Sequence, residues 1–231
     1  MSRERWLRRA QEVSDAFGLV LLLVLVTYVL ASLLENSGWS AVVELSAGSV
    51  TAVVALSSAG TPVRLVRLGA LLAAVAIVLA AVAAVSDTRG WLTAGTLVEV
   101  GLLFAAMVAV LHRVVTSNVV DTRTILGALS VYAILGLLFT FVFATVERLQ
   151  GGAFFEQVAD PQNSDFLFFS FTTLTTTGYG DLIPAGQPGR MLAGLEMMIG
   201  QIFLVTLVAR LVSLWRPRRA AQPSAGSGSM R

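Results

Sequence analysis

Six long apolar segments constrain the fold of this chain more than any other feature of its sequence. A helix needs about 20 apolar residues to cross a bilayer, and each segment meets or approaches that length. They are Phe17–Leu34, Ala41–Gly60, Gly69–Val85, Trp91–Leu111, Leu126–Val146 and about 190–215. They are too long, and alternate too little, for the strands of a membrane β-barrel. Because a helix satisfies its own backbone hydrogen bonds in lipid, the sequence predicts an all-α membrane protein with six transmembrane helices.

The composition agrees with a membrane protein and argues against several kinds of chemistry. Hydrophobic residues make up 56% of the 231 residues, charged residues only 13%, and mean hydropathy is +0.80. Soluble domains carry about 25% charged residues. The chain has no cysteine and a single histidine, His112, which excludes disulfides and leaves little for metal sites. Without a nucleophile–base pair or a phosphate-binding loop, we expect no enzyme, no cofactor, no nucleic-acid partner and no small-molecule substrate.

The arginines predict the orientation of the helices. With the N-terminus inside, thirteen of the sixteen arginines lie in cytoplasmic segments, and only Arg89, Arg148 and Arg190 lie outside. The positive-inside rule therefore predicts a multi-pass protein of the cell membrane with both termini in the cytoplasm. Residues 1–16 form a basic N-terminal segment, in which 3–12 are either a short helix at the inner interface or a topogenic charge cluster. The tail, 216–231, is rich in Pro, Gly, Ser and Ala and is predicted to be disordered.

The stretch between the fifth and sixth segments does not have the sequence of a simple loop. Residues 151–164 are polar and irregular, whereas Asp165–Thr176 is apolar and aromatic but too short to span a bilayer. A run of this length is typical of a re-entrant segment, and Asn163, Ser164 or Asp165 is expected to cap it. The hexapeptide TTGYGD, Thr176–Asp181, follows directly.

The two glycines of this hexapeptide allow an unusual backbone conformation. Glycines on both sides of a tyrosine permit conformations that other residues resist, so successive carbonyl oxygens can point into one narrow path. Irregular backbone at membrane depth is tolerated where it lines a cavity or is buried in protein. A re-entrant helix that directs its C-terminal, negative end at that cavity favours a cation there.

The re-entrant helix, TTGYGD and the following helix together resemble the pore domain of tetrameric potassium channels. The resemblance covers residues 126–215 and implies a homotetramer in which each chain supplies one strand of the selectivity filter. It implies that K⁺ ions bind at Thr176, Thr177, Gly178, Tyr179 and Gly180. It also implies that Asp181 braces the filter at the outer mouth, with Thr172 and Glu196 as further supports. Gly200 is either a gating hinge or a site of close helix packing.

The resemblance has three departures near the filter. Thr177 replaces the valine that is most common at its position, and Phe168 and Phe169 stand where many members have tryptophans that brace the filter. Thr172 stands where some prokaryotic members have a glutamate partner for the residue at Asp181. The brace around Tyr179 is therefore altered, and inactivation behaviour cannot be carried over from the family.

The four helices before the pore resemble a voltage-sensor domain in number but not in charge. Residues 17–112 form this four-helix unit and 113–125 a cytoplasmic linker. Voltage sensing requires several arginines on the fourth helix, yet Trp91–Leu111 has none and carries only Glu99. Arg64 and Arg67 are better explained as positive-inside anchors. We therefore expect gating by lipid, protons or an unknown partner rather than by voltage in the usual way.

Three carboxylates within apolar segments are costly in lipid and need an explanation. Glu196 is expected to face the pore helix and to bond Thr172 or Thr173, as a structural group or as a proton sensor. Glu44 is expected near the outer interface in contact with water. Glu99 is expected to bond within the first four helices.

The sequence thus predicts passive, potassium-selective conduction through a tetrameric TTGYG filter, with membrane lipids and further copies of the chain as partners. One alternative is a weakly selective cation channel, which Tyr179 argues against. A subunit of an active potassium-uptake system would carry four pore-like units in one chain, whereas this chain has one. The sequence leaves open whether the four-helix unit packs on its own pore domain or on a neighbour's.

Overall fold

The fold is a set of seven helices, seen in a computed structural model that describes residues 3–34, 38–86, 89–117 and 122–214. Side chains at 3–16, 38, 89, 122–123 and 211–214 lie outside that description. The helices are α1 (Arg3–Leu33), α2 (Gly38–Ser58), α3 (Val63–Ser86), α4 (Arg89–Val115), α5 (Thr122–Gln150), α6 (Asn163–Leu174) and α7 (Gln187–Leu214). Across the described ranges, β structure is limited to an isolated bridge between Phe155 and Pro184.

Within the described residues, five helices are long and apolar enough to cross a membrane, which agrees with the predicted all-helical fold. These are α2, α3, α4, α5 and α7. The first predicted span corresponds to the apolar part of α1, Phe17–Leu33. The count of six spanning helices stays a prediction.

Most helices extend beyond the apolar segments that predicted them. α3 begins at Val63, directly after Pro62, whereas the apolar segment begins only at Gly69. Residues 3–12 are helical and continuous with α1 rather than a separate short helix. Helix α4 continues to Val115 and α5 begins at Thr122, so both helices run into the predicted linker at 113–125. Hydropathy marks the part of a helix that suits lipid, but the backbone hydrogen bonds continue into polar ends. The predicted disordered tail lies outside the described residues.

Helix α5 connects the four-helix unit to the later helices of the chain. Helices α1 and α4 of the four-helix unit both lie against it, and so do α6 and α7. Its faces are accordingly buried along most of its length, including Ile134, Leu137 and Phe143. The connection between α4 and α5 has only six residues, 116–121, so α5 has to begin close to the end of α4. The four-helix unit therefore packs on α5 of its own chain.

Candidate functional site

The site begins with α6, a twelve-residue helix between α5 and α7. At about 1.5 Å per residue it is roughly 18 Å long, too short for a hydrocarbon core of about 30 Å. Its N-cap is Gln162, whose backbone N–H donates to the Asp165 carboxylate at 2.8 Å. The prediction of a cap at 163–165 was therefore wrong by at least one residue. Asp165 stabilises the same end from the third helical position instead, where a carboxylate also suits the helix dipole.

The carbonyl oxygens at the end of α6 hold the start of the TTGYG segment. The backbone N–H groups of Thr177 and Gly178 both donate to the carbonyl oxygen of Thr172, at 2.8 and 3.2 Å. The Tyr132 hydroxyl, from α5, donates to the carbonyl oxygen of Leu174 at 2.9 Å. These bonds satisfy carbonyls that a helix terminus otherwise leaves without a partner. They also fix where the chain leaves the helix.

The backbone of TTGYG has positive φ at every second residue. The values are 57° at Thr176, 52° at Gly178 and 82° at Gly180, while Thr177 and Tyr179 between them have negative φ. In an ordinary strand the backbone groups of successive residues point to opposite sides. Because the sign of φ alternates along TTGYG, successive carbonyl groups can instead point to the same side. Positive φ is unusual for a β-branched residue such as Thr176. Such an outlier is typical of a functional backbone.

The TTGYG segment is exposed in the single chain. Tyr179 is 71% exposed, and its ring stacks on Phe168 with a centroid distance of 5.9 Å and an interplanar angle of 12°. The Thr172 hydroxyl donates to the carbonyl oxygen of Phe169 in its own helix. Asp181 is exposed and forms no hydrogen bond with the described part of the chain. Thr172 and Asp181 therefore do not meet within one chain.

Glu196 supports α6 from α7, although its partner differs from the expected ones. The Ser170 hydroxyl lies 2.6 Å from the Glu196 Oε1 and 2.8 Å from the carbonyl oxygen of Gly136 in α5. Glu196 is fully buried. The expected bond to Thr172 or Thr173 was wrong because α7 crosses α6 at the face that carries Ser170. One hydroxyl thus connects α5, α6 and α7 behind the TTGYG segment.

Gly200 is a point of close contact between α7 and the end of α6. A Cβ at this position would lie 2.5 Å from the carbonyl oxygen of Leu174 and 2.8 Å from its Cδ1. The same carbonyl accepts the Tyr132 hydroxyl, so it cannot move freely. Of the two interpretations of Gly200, the geometry favours close packing.

The segment after TTGYG is held by the loop that precedes α6. The Glu156 and Ala185 backbone N–H groups donate to the carbonyls of Ile183 and Phe154 at 2.9 and 2.8 Å. Arg190 forms an ion pair of 2.7 Å with Glu156 and donates to the carbonyl oxygen of Pro184. A cluster of phenylalanines beneath this loop joins it to α5 and α6: Phe143, Phe154, Phe155, Phe166 and Phe169.

This support was not predicted from the sequence. Its one signal was the pair of phenylalanines at 154–155, which stands in an otherwise polar stretch. Tyr132 had no signal that distinguished it from the apolar residues around it.

The four-helix unit contacts the N-terminus of α6 through Glu44. The Asn163 side-chain amide donates to the Glu44 carboxylate, and Arg148 lies near enough to act on that carboxylate electrostatically. Glu44 is only 4% exposed, so the expectation of a hydrated residue was wrong. Glu99 follows its prediction, because it accepts a 2.6 Å hydrogen bond from Ser49 within the unit.

Residues 137–216 match the model of an ion channel family. The match supports an ion channel. It covers 80 of the 231 residues and includes the second half of α5, all of α6, the TTGYG segment and α7. No curated protein matches the chain.

Proposed function

We propose that four copies of this chain form a potassium-selective channel in which Thr176, Thr177, Gly178, Tyr179 and Gly180 line the ion path. The observation that carries the proposal is the alternating backbone of TTGYG at the C-terminus of a short re-entrant helix. Carbonyl oxygens on one side of a strand can replace the hydration shell of K⁺ when four strands surround one axis. The negative end of α6 adds a favourable potential for a cation.

The exposure of the site in a single chain supports assembly into a tetramer. Carbonyls at membrane depth are costly unless they are buried in protein or line a water-filled cavity, yet 175–181 are all exposed. Helix α7 likewise leaves a long apolar surface uncovered, with Met191 73% and Met198 63% exposed. Further copies of the chain around an axis at TTGYG would cover both. In this arrangement Asp181 braces the filter at a subunit boundary.

Six spanning helices and cytoplasmic termini complete the proposed topology.

The four-helix unit of the proposed channel lacks the charges of a voltage sensor. Glu99 is the only charged residue between Trp91 and Leu111 of α4, and its carboxylate is hydrogen-bonded to Ser49. Because moving one charge through 100 mV gives only about 2.3 kcal/mol, a unit without gating arginines responds weakly. We expect no gating current. A steep conductance–voltage curve that persists in Glu99→Gln contradicts this part of the proposal.

Ion flux from liposomes that contain the purified protein tests selectivity. We expect efflux with K⁺ and Rb⁺ but not with Na⁺, and block by Ba²⁺. Gly178→Ala should abolish flux because φ at Gly178 is 52°. Gly152→Ala is the matched control, since a Cβ at Gly152 has open space and an ordinary φ. Equal flux of Na⁺ and K⁺ would instead indicate the weakly selective channel.

A further inference from the structure

A groove of about 650 Å³ opens on the surface of the four-helix unit, between the end of α2, the start of α3 and the second half of α4. Its walls are apolar and include Leu56, Leu68, Leu72, Phe104 and Val108. Small residues also line the groove. They include Ala59, Gly101, Ala105 and Ala109. At Gly101 a Cβ would meet no atom within 4 Å.

One end of the groove carries positive charge. Helices α3 and α4 are antiparallel neighbours, so the first turns of α3 and the last turn of α4 lie at the same end of the unit. Arg64 and Arg67 are on α3 and Arg113 is on α4, all exposed, and His112 itself lines the groove. None of these forms an ion pair with a described residue.

No described carboxylate opposes this charge. Between Trp39 and Ser117 the described acidic side chains are Glu44 and Glu99, and both are buried. Among the described side chains, this end of the groove is therefore a cationic rim without a facing carboxylate, beside an apolar slot. By the positive-inside rule this rim faces the inner leaflet, where anionic lipid attracts basic residues.

We propose that this groove binds an anionic phospholipid, with one acyl chain in the slot and the phosphate at Arg64, His112 and Arg113. The slot and the rim together fit an amphiphile with a negative head. A zwitterionic lipid would fill the slot but leave the positive charge only partly matched. A free phosphate would match the charge and leave the slot empty.

Lipid binding to the full-length protein in detergent tests the proposal without measuring conduction. The probes are phosphatidylglycerol and phosphatidylcholine of identical acyl chains, and native mass spectrometry counts the bound molecules. We expect phosphatidylglycerol to bind in preference. Arg64→Gln should weaken it about 5-fold, because one arginine near an anionic headgroup contributes about that factor, whereas Arg64→Lys should retain it. Equal retention of both lipids, or no effect of Arg64→Gln, overturns the assignment.

A second pair of variants tests the slot. Gly101→Leu places a large side chain in the groove at a position where a Cβ meets no atom within 4 Å, and it should remove the tightly bound phosphatidylglycerol. Gly18→Leu is the matched control, because a Cβ at Gly18 in α1 also has open space and Gly18 is not part of the groove. Binding that is unchanged in Gly101→Leu contradicts an acyl chain in the slot. Since the readout is bound lipid, a protein that binds it but conducts nothing would refute only the proposed channel function.

The chain has no cysteine, so Gly101→Cys provides a single thiol for a fluorescent label at the groove. Phosphatidylglycerol with brominated chains should quench this label more strongly than brominated phosphatidylcholine at equal mole fraction. If a second copy of the chain covers the groove instead, the thiol will not react in the assembled protein. That result would overturn the proposal.

Discussion

Gly200→Ala provides the sharpest test of how α7 meets the end of α6. The added Cβ would stand 2.5 Å from the carbonyl oxygen of Leu174, and ordinary contact begins near 3.4 Å. The two helices would have to separate by 3.4 − 2.5, about 0.9 Å. The carbonyl cannot turn away without losing its hydrogen bond from Tyr132. Overpacking of this kind costs about 1–3 kcal/mol.

Gly194→Ala is the matched control for this substitution. Gly194 lies on the same helix, and a Cβ there would meet no atom within 4 Å. Both variants gain the same helix propensity, about 1 kcal/mol relative to glycine, so the difference between them isolates the clash. For a chain of this size the gap in thermal midpoint should be about 2–12 °C.

The assay is thermal unfolding of each variant in the same detergent, together with K⁺ flux from liposomes. We expect Gly200→Ala to unfold at lower temperature than Gly194→Ala and to conduct less, because Leu174 ends the helix that carries TTGYG. Equal midpoints would refute the packing argument. Equal midpoints with altered flux would favour the gating hinge.

Three further substitutions test the supports of the site. Tyr132→Phe removes the hydroxyl bonded to Leu174 and should lower the free energy of unfolding by about 0.5–1.5 kcal/mol, as chemical denaturation can measure. Glu196→Gln keeps a polar group beside Ser170 and should leave K⁺ flux and its pH response unchanged, whereas a lost pH response would support a proton sensor. Arg190→Met removes a half-exposed ion pair with Glu156. It should cost under about 1 kcal/mol from the pair itself, and 1 M KCl should reduce the difference from wild type by screening.

Hydropathy and one hexapeptide predicted much of this structure. The apolar segments predicted the position of every long helix, since lipid compatibility is a local property of sequence. The short apolar run at 165–176 predicted that α6 would be too short to span the membrane. Gly178 and Gly180 predicted that irregular backbone would follow it. The helix ends were less predictable because polar residues continue a helix without a hydropathy signal.

The contacts that hold the site could not be predicted, because they join residues far apart in the chain. Asn163 and Glu44 are separated by 119 positions, and no spacing rule connects them. The partner of Glu196 was predicted as Thr172 or Thr173 and is Ser170. The crossing of α6 and α7 determines which hydroxyl faces the carboxylate, and the sequence does not reveal that crossing. Gly200 had two interpretations in the sequence, and its close contact with the Leu174 carbonyl could not be predicted from either of them.

The packing of the four-helix unit on α5 of its own chain has a consequence for biogenesis. Helices α1 and α4 contact α5 of the same polypeptide, so a newly synthesised chain can complete that packing before it meets another copy. In the proposed tetramer, assembly would then join finished protomers along α7 and the TTGYG segment, without exchange of helices between them. We expect protomers to separate and reassociate without unfolding, so that differently tagged copies should mix after mild dissociation.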